Sequence, residues 1–331
     1  MEKITTLVIG DPHFQVSNIP EMKLLVINLV KVATVLKPDF IVCLGDILHR
    51  HETIHVSPLM HAEFFIENMA MLAPTFILIG NHDRPNNSTF LTNEHPFNSL
   101  KRWSDVTIVD TTLTTEIKGQ KFTFVPYVPT GRFMEALEKT NYLDSTCIFA
   151  HQEFFGAKMG AFKSENGDKW PEEYPLIISG HIHDYDRLQK NIIYVGTPLQ
   201  SSFGDNLDKT ISKFDFSGCA WEETRIDLGM TKRVVVTITP SELSLFKPDP
   251  NRMTKVIIQG DESELKECLK KEEVKKLKQL GITISYKAIP KSFNGLDILP
   301  KKEKYLKRLY DMISHDKIQK KWFEELFGTE L

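Results

Sequence analysis

The sequence predicts a layered α/β fold with a smaller α+β part towards its carboxyl end. Three observations carry this prediction. Short apolar runs rich in β-branched and aromatic residues recur through residues 1–228. Amphipathic segments with helical spacing lie between the first of these runs. Beyond residue 229 the chain becomes basic, and a strand, a charged helix and further strands are expected there.

Seven apolar runs predict the strands of the first part. They are 5–10, 39–45, 75–80, 122–128, 145–151, 175–181 and 192–197. Continuous apolar strands of this length are typical of sheets buried on both faces. Residues 21–36 and 57–72 predict helices, because apolar side chains recur at helical spacing and a proline follows each segment. The alternation of strand and helix predicts a sandwich with its helices outside.

The last hundred residues predict a separate organisation. Strands are expected at 233–239, 255–260 and 282–288, with one charged amphipathic helix at 262–281 and a linker at 290–302. Apolar residues four apart then predict two amphipathic helices, broken around Ser314–Asp316. We therefore predict three domains, at 1–228, 229–290 and 291–331.

Composition narrows the class of protein. The 331 residues carry a net charge of −3, but residues 229–331 have six more basic than acidic side chains, whereas 1–228 have nine more acidic ones. The four cysteines lie far apart, which fits a reducing compartment and argues against a zinc ribbon. The most apolar stretch, 24–36, is too short to span a bilayer and contains Lys31. We expect a cytoplasmic protein (host cytoplasm if phage-encoded) with no membrane partner.

Side chains typical of metal ligands follow five of the predicted strands. They are Asp11 and His13, then Asp46, then Asn81 with His82 and Asp83, then His151, and finally His181 and His183. Strand ends of this kind meet at one edge of a sheet, where α/β proteins place their sites. A lone histidine there is more often structural, but the mixed set favours two divalent ions that share a carboxylate. Such a pair suits phosphoryl chemistry.

The order D-x-H, GD, GNHD, H, GHxH resembles the calcineurin-like metallophosphoesterase superfamily over residues 4 to about 200. The resemblance implies a four-layer αββα sandwich with a small capping domain and C-terminal helices. For the first ion it implies the ligands Asp11, His13, Asp46 and His183. For the second it implies Asp46, Asn81, His151 and His181. His82 would act on the phosphate or the leaving group, and Asp83 would orient His82 or serve only as a turn residue.

The segment YVGTPLQSSFGD (194–205) and the pair His95–Pro96 resemble SbcD-type DNA nucleases and phage recombination nuclease subunits. GDILHRH and GNHD depart from the GDxVDRG and GNHE of the protein phosphatases. The resemblance implies a DNA exonuclease or endonuclease of double-strand-break repair and recombination, with two-metal hydroxide attack on the phosphodiester. Mn²⁺ is the expected metal, with Mg²⁺ as the alternative. Residues 229–290 would cap DNA, and 291–331 would bind the coiled coil of an SbcC-type ABC ATPase.

Several residues keep two interpretations at this point. His49, Arg50 and His51 would contact substrate by resemblance, although the histidines here could also hold a third metal or lie on an exposed rim loop. The wide apolar surface of 57–72 fits core packing or, by resemblance, a homodimer interface. Trp322, Phe323 and Phe327 could anchor a partner or fold back on their own domain.

Two further functions compete with the DNA nuclease. The first is a phosphodiesterase or phosphatase for small nucleotides, in the same superfamily. The second is a scaffold that has kept the fold and lost the site, against which the full set of expected ligands argues.

Overall fold

The computed structural model describes residues 2–51, 53–160, 162–289, 310, 312–313 and 317–327. They form two compact units. One comprises the described parts of Met1–Val236 with Lys247–Lys255, and the other those of Thr237–Phe246 with Val256–Leu331. The predicted linker and most of the first predicted terminal helix lie outside the described residues.

Two six-stranded sheets form the first unit. The first sheet joins β1 (Ile4–Ile9), β2 (Phe40–Cys43), β3 (Thr75–Leu78), β4 (Val106–Val109), β13 (Ile211–Ser217) and β14 (Ala220–Ile226), in the order β14-β13-β1-β2-β3-β4. The second joins β5 (Leu113–Ile117), β6 (Gln120–Val125), β7 (Cys147–Ala150), β10 (Leu176–Ser179), β11 (Asp186–Gln189) and β12 (Ile192–Tyr194), in the order β11-β12-β10-β7-β6-β5. A separate hairpin consists of β8 (Lys158–Met159) and β9 (Phe162–Lys163).

The sheets pack face to face with helices outside them. Aromatic side chains fill the space between the sheets, and Phe40 contacts the rings of Phe122 and Phe149 at centroid distances of 5.1 and 5.9 Å. Helices α1 (Ile19–Leu36) and α2 (Val56–Ala70) cover the outer face of the first sheet, and the short α3 (Phe133–Leu137) packs on the second. The predicted α/β sandwich is confirmed. None of the described helices is long and apolar enough to cross a membrane.

Two short helices pack on a third, three-stranded sheet. Strands β15 (Lys232–Ile238), β16 (Arg252–Gly260) and β17 (Thr283–Ala288) form a sheet in that order, and α4 (Glu262–Cys268) and α5 (Glu272–Gln279) pack on β17. The single helix expected over 262–281 is wrong, because Lys271 adopts extended backbone and starts a second helix. The break allows both short helices to bury apolar residues, including Leu265 and Val274.

The second predicted terminal helix is present as α6 (Lys317–Phe327). Phe323 is buried, and its ring lies 5.6 Å from that of Tyr310. Trp322 and Leu326 are exposed. The three aromatic residues considered together in the sequence therefore differ. Phe323 folds back on its own unit, and Trp322 faces outwards. The Phe327 side chain lies outside the described residues.

Candidate metal centre

Five parallel strands bring the predicted ligands to one end of the sandwich. β1, β2 and β3 run parallel in the first sheet, and β7 and β10 run parallel in the second. The residue sets that begin at Asp11, Asp46, Asn81, His151 and His181 each follow the carboxyl end of one of these strands. Because the two sheets are stacked, their loops meet over one cavity.

The first cluster consists of Asp11, His13 and His183, whose ligand atoms all lie within 4.8 Å of one another. The Nε2 atoms of His13 and His183 face each other at 3.0 Å. One carboxylate oxygen of Asp11, Oδ2, accepts a hydrogen bond of 2.7 Å from the backbone amide of His181. The Oδ1 atom is buried and has no hydrogen-bond partner among the described residues. It is therefore available to a cation.

The second cluster consists of Asp46, His151 and His181, again with ligand atoms within 4.8 Å. Asn81 joins it, because its Oδ1 lies 3.0 Å from His151 Nε2 and 2.9 Å from His181 Nδ1. The predicted amide ligand thus meets both predicted imidazoles of the second ion.

Asp46 lies between the clusters. Its Oδ2 is 3.5 Å from His151 Nε2 in the second cluster and 3.9 Å from His13 Nε2 in the first. Its Oδ1 accepts a hydrogen bond of 2.8 Å from the backbone amide of His82. One carboxylate can therefore face both candidate ion positions, as a bridging ligand must.

The donor atoms fit divalent cations. His151 Nδ1 donates to the Leu44 carbonyl at 2.8 Å, so in the neutral imidazole the Nε2 lone pair points at the oxygens of Asn81 and Asp46. Lone pairs that converge in a buried space are stabilised by a shared cation. Mixed imidazole, carboxylate and amide donors suit a transition-series divalent ion better than calcium.

Burial and neighbouring charges favour neutral imidazoles at His181 and His13 and an ionised carboxylate at Asp46. Burial lowers the pKa of His181 to about 3 and holds the pKa of His13 well below its usual range, so both keep a free lone pair at neutral pH. Burial alone would raise the pKa of Asp46, but the neighbouring His151 and His13 hold it well below the usual carboxyl range.

The metal-free centre retains a proton near His151. Burial alone would lower the pKa of this histidine, yet the carboxylates of Asp46 and Asp11 raise it to about 9. Burial is also the main cause that raises the pKa of Asp11 to about 8. A cation placed between these groups would displace that proton.

Unusual backbone supports the ligand loops. His13, Asp46 and His181 have φ values of 51°, 46° and 76°, which are uncommon for residues with side chains. Gly80 is required for space, because a Cβ there would lie 2.2 Å from both the amide nitrogen and Oδ1 of Asp46. Such strain is found where the surrounding structure holds a functional geometry.

His82 faces the same cavity without joining either ligand cluster. Its side chain is 29% exposed, and its Nε2 lies 3.9 Å from Asp46 Oδ2. Its Nδ1 donates to the His49 carbonyl at 2.7 Å, and its ring stacks on that of His51 at 4.5 Å. The ring is thus fixed in direction while one nitrogen remains directed into the cavity.

The Asp83 side chain contacts backbone amides of two loops. Its carboxylate accepts hydrogen bonds from the backbone amides of Ile47, Leu48 and Gly80 at 3.1, 2.8 and 3.2 Å. It therefore fixes the loop that carries Asp46, and the expected orientation of His82 by Asp83 needs correction. The His49 carbonyl holds the His82 ring instead, because the GD loop turns that backbone atom towards it.

The four histidines at 49, 51, 55 and 61 do not form one cluster. His49 and His51 lie beside His82, whereas His55 is the residue before α2 and His61 Nδ1 hydrogen bonds to the Ser57 carbonyl at 2.8 Å. Arg50 is exposed. This arrangement favours the rim loop over a third metal site.

Three residues of the centre were missed from the sequence. The Tyr127 ring lies 5.9 Å from His181 and 6.2 Å from His151, and it follows β6, so the strand-end rule could have found it. Thr197 and Lys209 donate to the His183 carbonyl, from the backbone amide at 3.0 Å and from Nζ at 2.6 Å. Thr197 lies in the segment 194–205 that the sequence analysis quoted, although no role was given to it there, and no local spacing marks Lys209.

Comparisons with known proteins agree with this centre. Residues 4–208 match the family model described as calcineurin-like phosphoesterase. The chain is 38% identical to "Putative phosphoesterase 078R" of Invertebrate iridescent virus 3, over 94% of this chain and 92% of that protein. It is 39% identical to "Putative phosphoesterase 244L" of Invertebrate iridescent virus 6, over 83% of this chain and 100% of that protein.

Among solved structures, the chain is similar to a Plasmodium protein described as GAP50, the anchor in the inner membrane complex. The TM-score is 0.43 and the identity 13%, over 68% of this chain and 85% of that chain. The family match and the two viral relatives decide the assignment: this chain belongs to the calcineurin-like phosphoesterase family, whose members use divalent metals.

Proposed function

We propose that the chain is a metal-dependent DNA nuclease, the catalytic subunit of an SbcC/SbcD-like complex that processes DNA ends in double-strand-break repair and recombination. One observation carries the proposal beyond a general phosphoesterase. The segment 194–205, on which the nuclease resemblance rests, is built into the metal centre. Thr197 holds the His183 carbonyl through its backbone amide, and the Asp205 carboxylate accepts from the amides of Ser201 and Ser202 at 2.6 and 3.0 Å.

The chain's own residues divide the chemistry. Two divalent ions, when bound, activate a water molecule and polarise the phosphate. The first cluster would hold one ion and the second cluster the other, and Asp46 lies near both clusters. His82 donates from Nδ1 to the His49 carbonyl, which fixes the ring with Nε2 towards the cavity. When Nε2 carries a proton, it can give that proton to the departing oxygen.

The donor atoms of the candidate centre favour manganese in this proposal. Four imidazoles, from His13, His151, His181 and His183, are softer donors than magnesium prefers, and they agree with Mn²⁺ better than with Mg²⁺. The cavity beside them has a volume of about 360 Å³ and is open to solvent.

The partner surfaces belong to the same proposal. Val56, Met60 and Phe64 of α2 lie four residues apart and are 83%, 56% and 52% exposed, which supports a homodimer through this helix. Sedimentation at several concentrations tests the homodimer. Trp322 and Leu326 offer an exposed apolar face on α6, which supports docking of the coiled-coil ATPase there.

A phosphodiesterase for small nucleotides is the second candidate. The viral relatives are named only as phosphoesterases, a description that fits both substrate classes. The acidic first unit agrees with a small substrate, whereas the basic excess of residues 229–331 favours a nucleic acid.

One assay separates the two functions. The purified protein is incubated in Mn²⁺ with linear duplex DNA, single-stranded DNA or a cyclic nucleotide, with and without the SbcC-type ATPase. We expect DNA to be cleaved and the cyclic nucleotide to be left largely intact. Rapid hydrolysis of the cyclic nucleotide with intact DNA in every arm would replace the nuclease with the second candidate.

A further inference from the structure

We propose that the β8–β9 hairpin is a stacking platform for a nucleobase of the substrate, placed beside the metal centre. The inference rests on the proposed nuclease function and adds a binding element that the sequence did not mark. Its core is the apolar pair Met159 and Phe162, with Lys158 and Lys163 on either side.

The hairpin shares a cavity with the catalytic groups. Lys158, Met159 and Gly160 line the same space as Asp46, His82 and His183. A phosphate bound at the metal centre would therefore have the hairpin as a neighbour, so the adjoining parts of its nucleotide could contact it.

Two exposed apolar side chains lie on one face of the hairpin. Met159 pairs with Phe162 across the two strands, and paired residues of antiparallel strands present their side chains on the same face. Met159 is 46% exposed and Phe162 is 78% exposed. Met159 lines the cavity, and Phe162 is its cross-strand neighbour on the same face. A flat ring there can cover a nucleobase, and the polarisable thioether extends that surface.

The base of the hairpin is held firmly. The Gly156 amide donates to the Ser164 carbonyl, and the Ser164 amide donates to the Ala157 carbonyl, both at 2.8 Å. Ala157 is fully buried. Asp168 closes the loop behind it, where its Oδ2 accepts from Gln152 Nε2 at 2.7 Å. Met159 and Phe162 therefore project from an ordered base. Binding a nucleobase does not have to order this hairpin first.

Charge favours a nucleic acid strand as the occupant, although Lys158 Nζ also lies 3.6 Å from Asp186 Oδ1. Lys158 and Lys163 face each other across the strands, and a third lysine, Lys169, lies over the Phe155 ring with Nζ 5.4 Å from its centroid. Lysines interleaved with exposed aromatic rings are typical of surfaces that bind single-stranded nucleic acid, where phosphates meet the ammonium groups and bases stack. A protein partner on this face would give no dependence on substrate bases.

The test compares a base-bearing substrate with a base-free one. Cleavage of a thymidine oligonucleotide is measured in Mn²⁺ beside an oligomer of equal length made of tetrahydrofuran abasic residues. We expect Phe162→Ala to lower kcat/KM on the thymidine oligomer about tenfold and to leave the abasic oligomer unchanged. Phe162→Trp should retain the parental rate. Leu143→Ala, at a residue that is also exposed, is the matched control and should change neither substrate.

The outcomes separate this proposal from the proposed function. If the parental protein cleaves both oligomers at equal rates and Phe162→Ala equals it on each, the platform is wrong and the nuclease stands. An equal loss on both oligomers overturns stacking too, because a backbone effect would then explain it. If the parental protein cuts linear duplex DNA but neither oligomer, the platform is wrong and the nuclease stands. If it cuts no DNA in any metal, with or without the ATPase, the nuclease falls and the platform falls with it.

Discussion

His82 has one nitrogen fixed by a hydrogen bond, while the other faces the cavity. Its Nδ1 is committed to the His49 carbonyl, and its Nε2 is directed into the cavity. We expect His82→Ala to lower the rate of phosphodiester cleavage by about two to four powers of ten, the usual contribution of general acid catalysis. Mn²⁺ content, measured by elemental analysis, should stay at the parental value, because the ligands remain.

His55→Ala is a suitable control for that change. His55 is exposed and precedes α2, so its removal should leave the rate within about twofold of the parental value. A His82→Ala protein that cleaves as fast as the parent would show that another group protonates the leaving oxygen.

The proton held near His151 predicts how metal affinity depends on pH. Without a metal the pKa of His151 is raised to about 9 and that of Asp11 to about 8, so at pH 7 both groups hold protons that a cation must displace. Affinity for Mn²⁺ should therefore increase as the pH rises from 6.5 to 8, by up to about tenfold per unit for each proton released.

Calorimetry in buffers of different ionisation enthalpy measures both the affinity and the number of protons released. His151→Asn keeps an oxygen ligand and removes the titrating ring, so it should release fewer protons. Affinity that is flat over this range, with no proton release in the parental protein, would contradict the predicted coupling.

Among individual residues, the positions of the candidate metal ligands could be inferred from the sequence. The groups that hold the neighbouring side chains in place could not. Asp11, Asp46 and His151 could be found because each follows an apolar strand, and a strand end fixes where the next side chain lies. The partners of His82 and Asp83 are backbone atoms of the loop 46–49. Their positions depend on how that loop turns, and a left-handed Asp46 is not written in any local spacing.

Among the elements, the turn after β3 sets the distance between loops. A Cβ on Gly80 would lie 2.2 Å from the Asp46 amide nitrogen, so Gly80→Ala must displace the loop that carries the bridging carboxylate. We expect at least a tenfold loss of Mn²⁺ affinity with secondary structure retained, checked by metal titration and circular dichroism.

Val35→Ala provides the comparison, since Val35 is 81% exposed on α1 and has no part in the centre. It should bind Mn²⁺ as the parent does. If Gly80→Ala also bound the metal normally, the loop after β2 would be more adaptable than its hydrogen bonds to Asp83 indicate.

The accuracy of the predicted elements followed how strongly each is buried. Central strands such as β2, β3, β7 and β10 are continuous apolar runs, so their pattern is visible in the sequence. The outer strand β14 alternates half-buried and exposed residues, and it went unpredicted. The strand β13 is largely buried but also went unpredicted, because Lys213 and Asp215 interrupt its apolar residues. Helices α4 and α5 were merged because each presents an apolar face at compatible spacing, and only the extended backbone at Lys271 separates them.

Over the whole molecule, charge is divided between the two parts of the chain. The acidic excess of residues 1–228 includes the carboxylates of the metal centre, whereas residues 229–331 are basic. A polyanion is repelled by the first and attracted by the second. The proposed capping role of residues 229–290 therefore predicts that DNA affinity and catalytic turnover can be changed separately.

Lys276 and Lys278 of α5 are exposed and test this separation. Replacing both by Gln should weaken DNA binding and reduce the slope of log affinity against log salt by up to about two, since each phosphate contact contributes about 0.9. The rate on bis(p-nitrophenyl) phosphate, a small diester that needs no such contact, should not change. Lys23→Gln with Lys31→Gln removes two exposed charges from α1 and should leave the slope as it is. Equal slopes for both double variants would mean that the phosphate backbone does not engage α5, and the capping role would have to move to another face of residues 229–290.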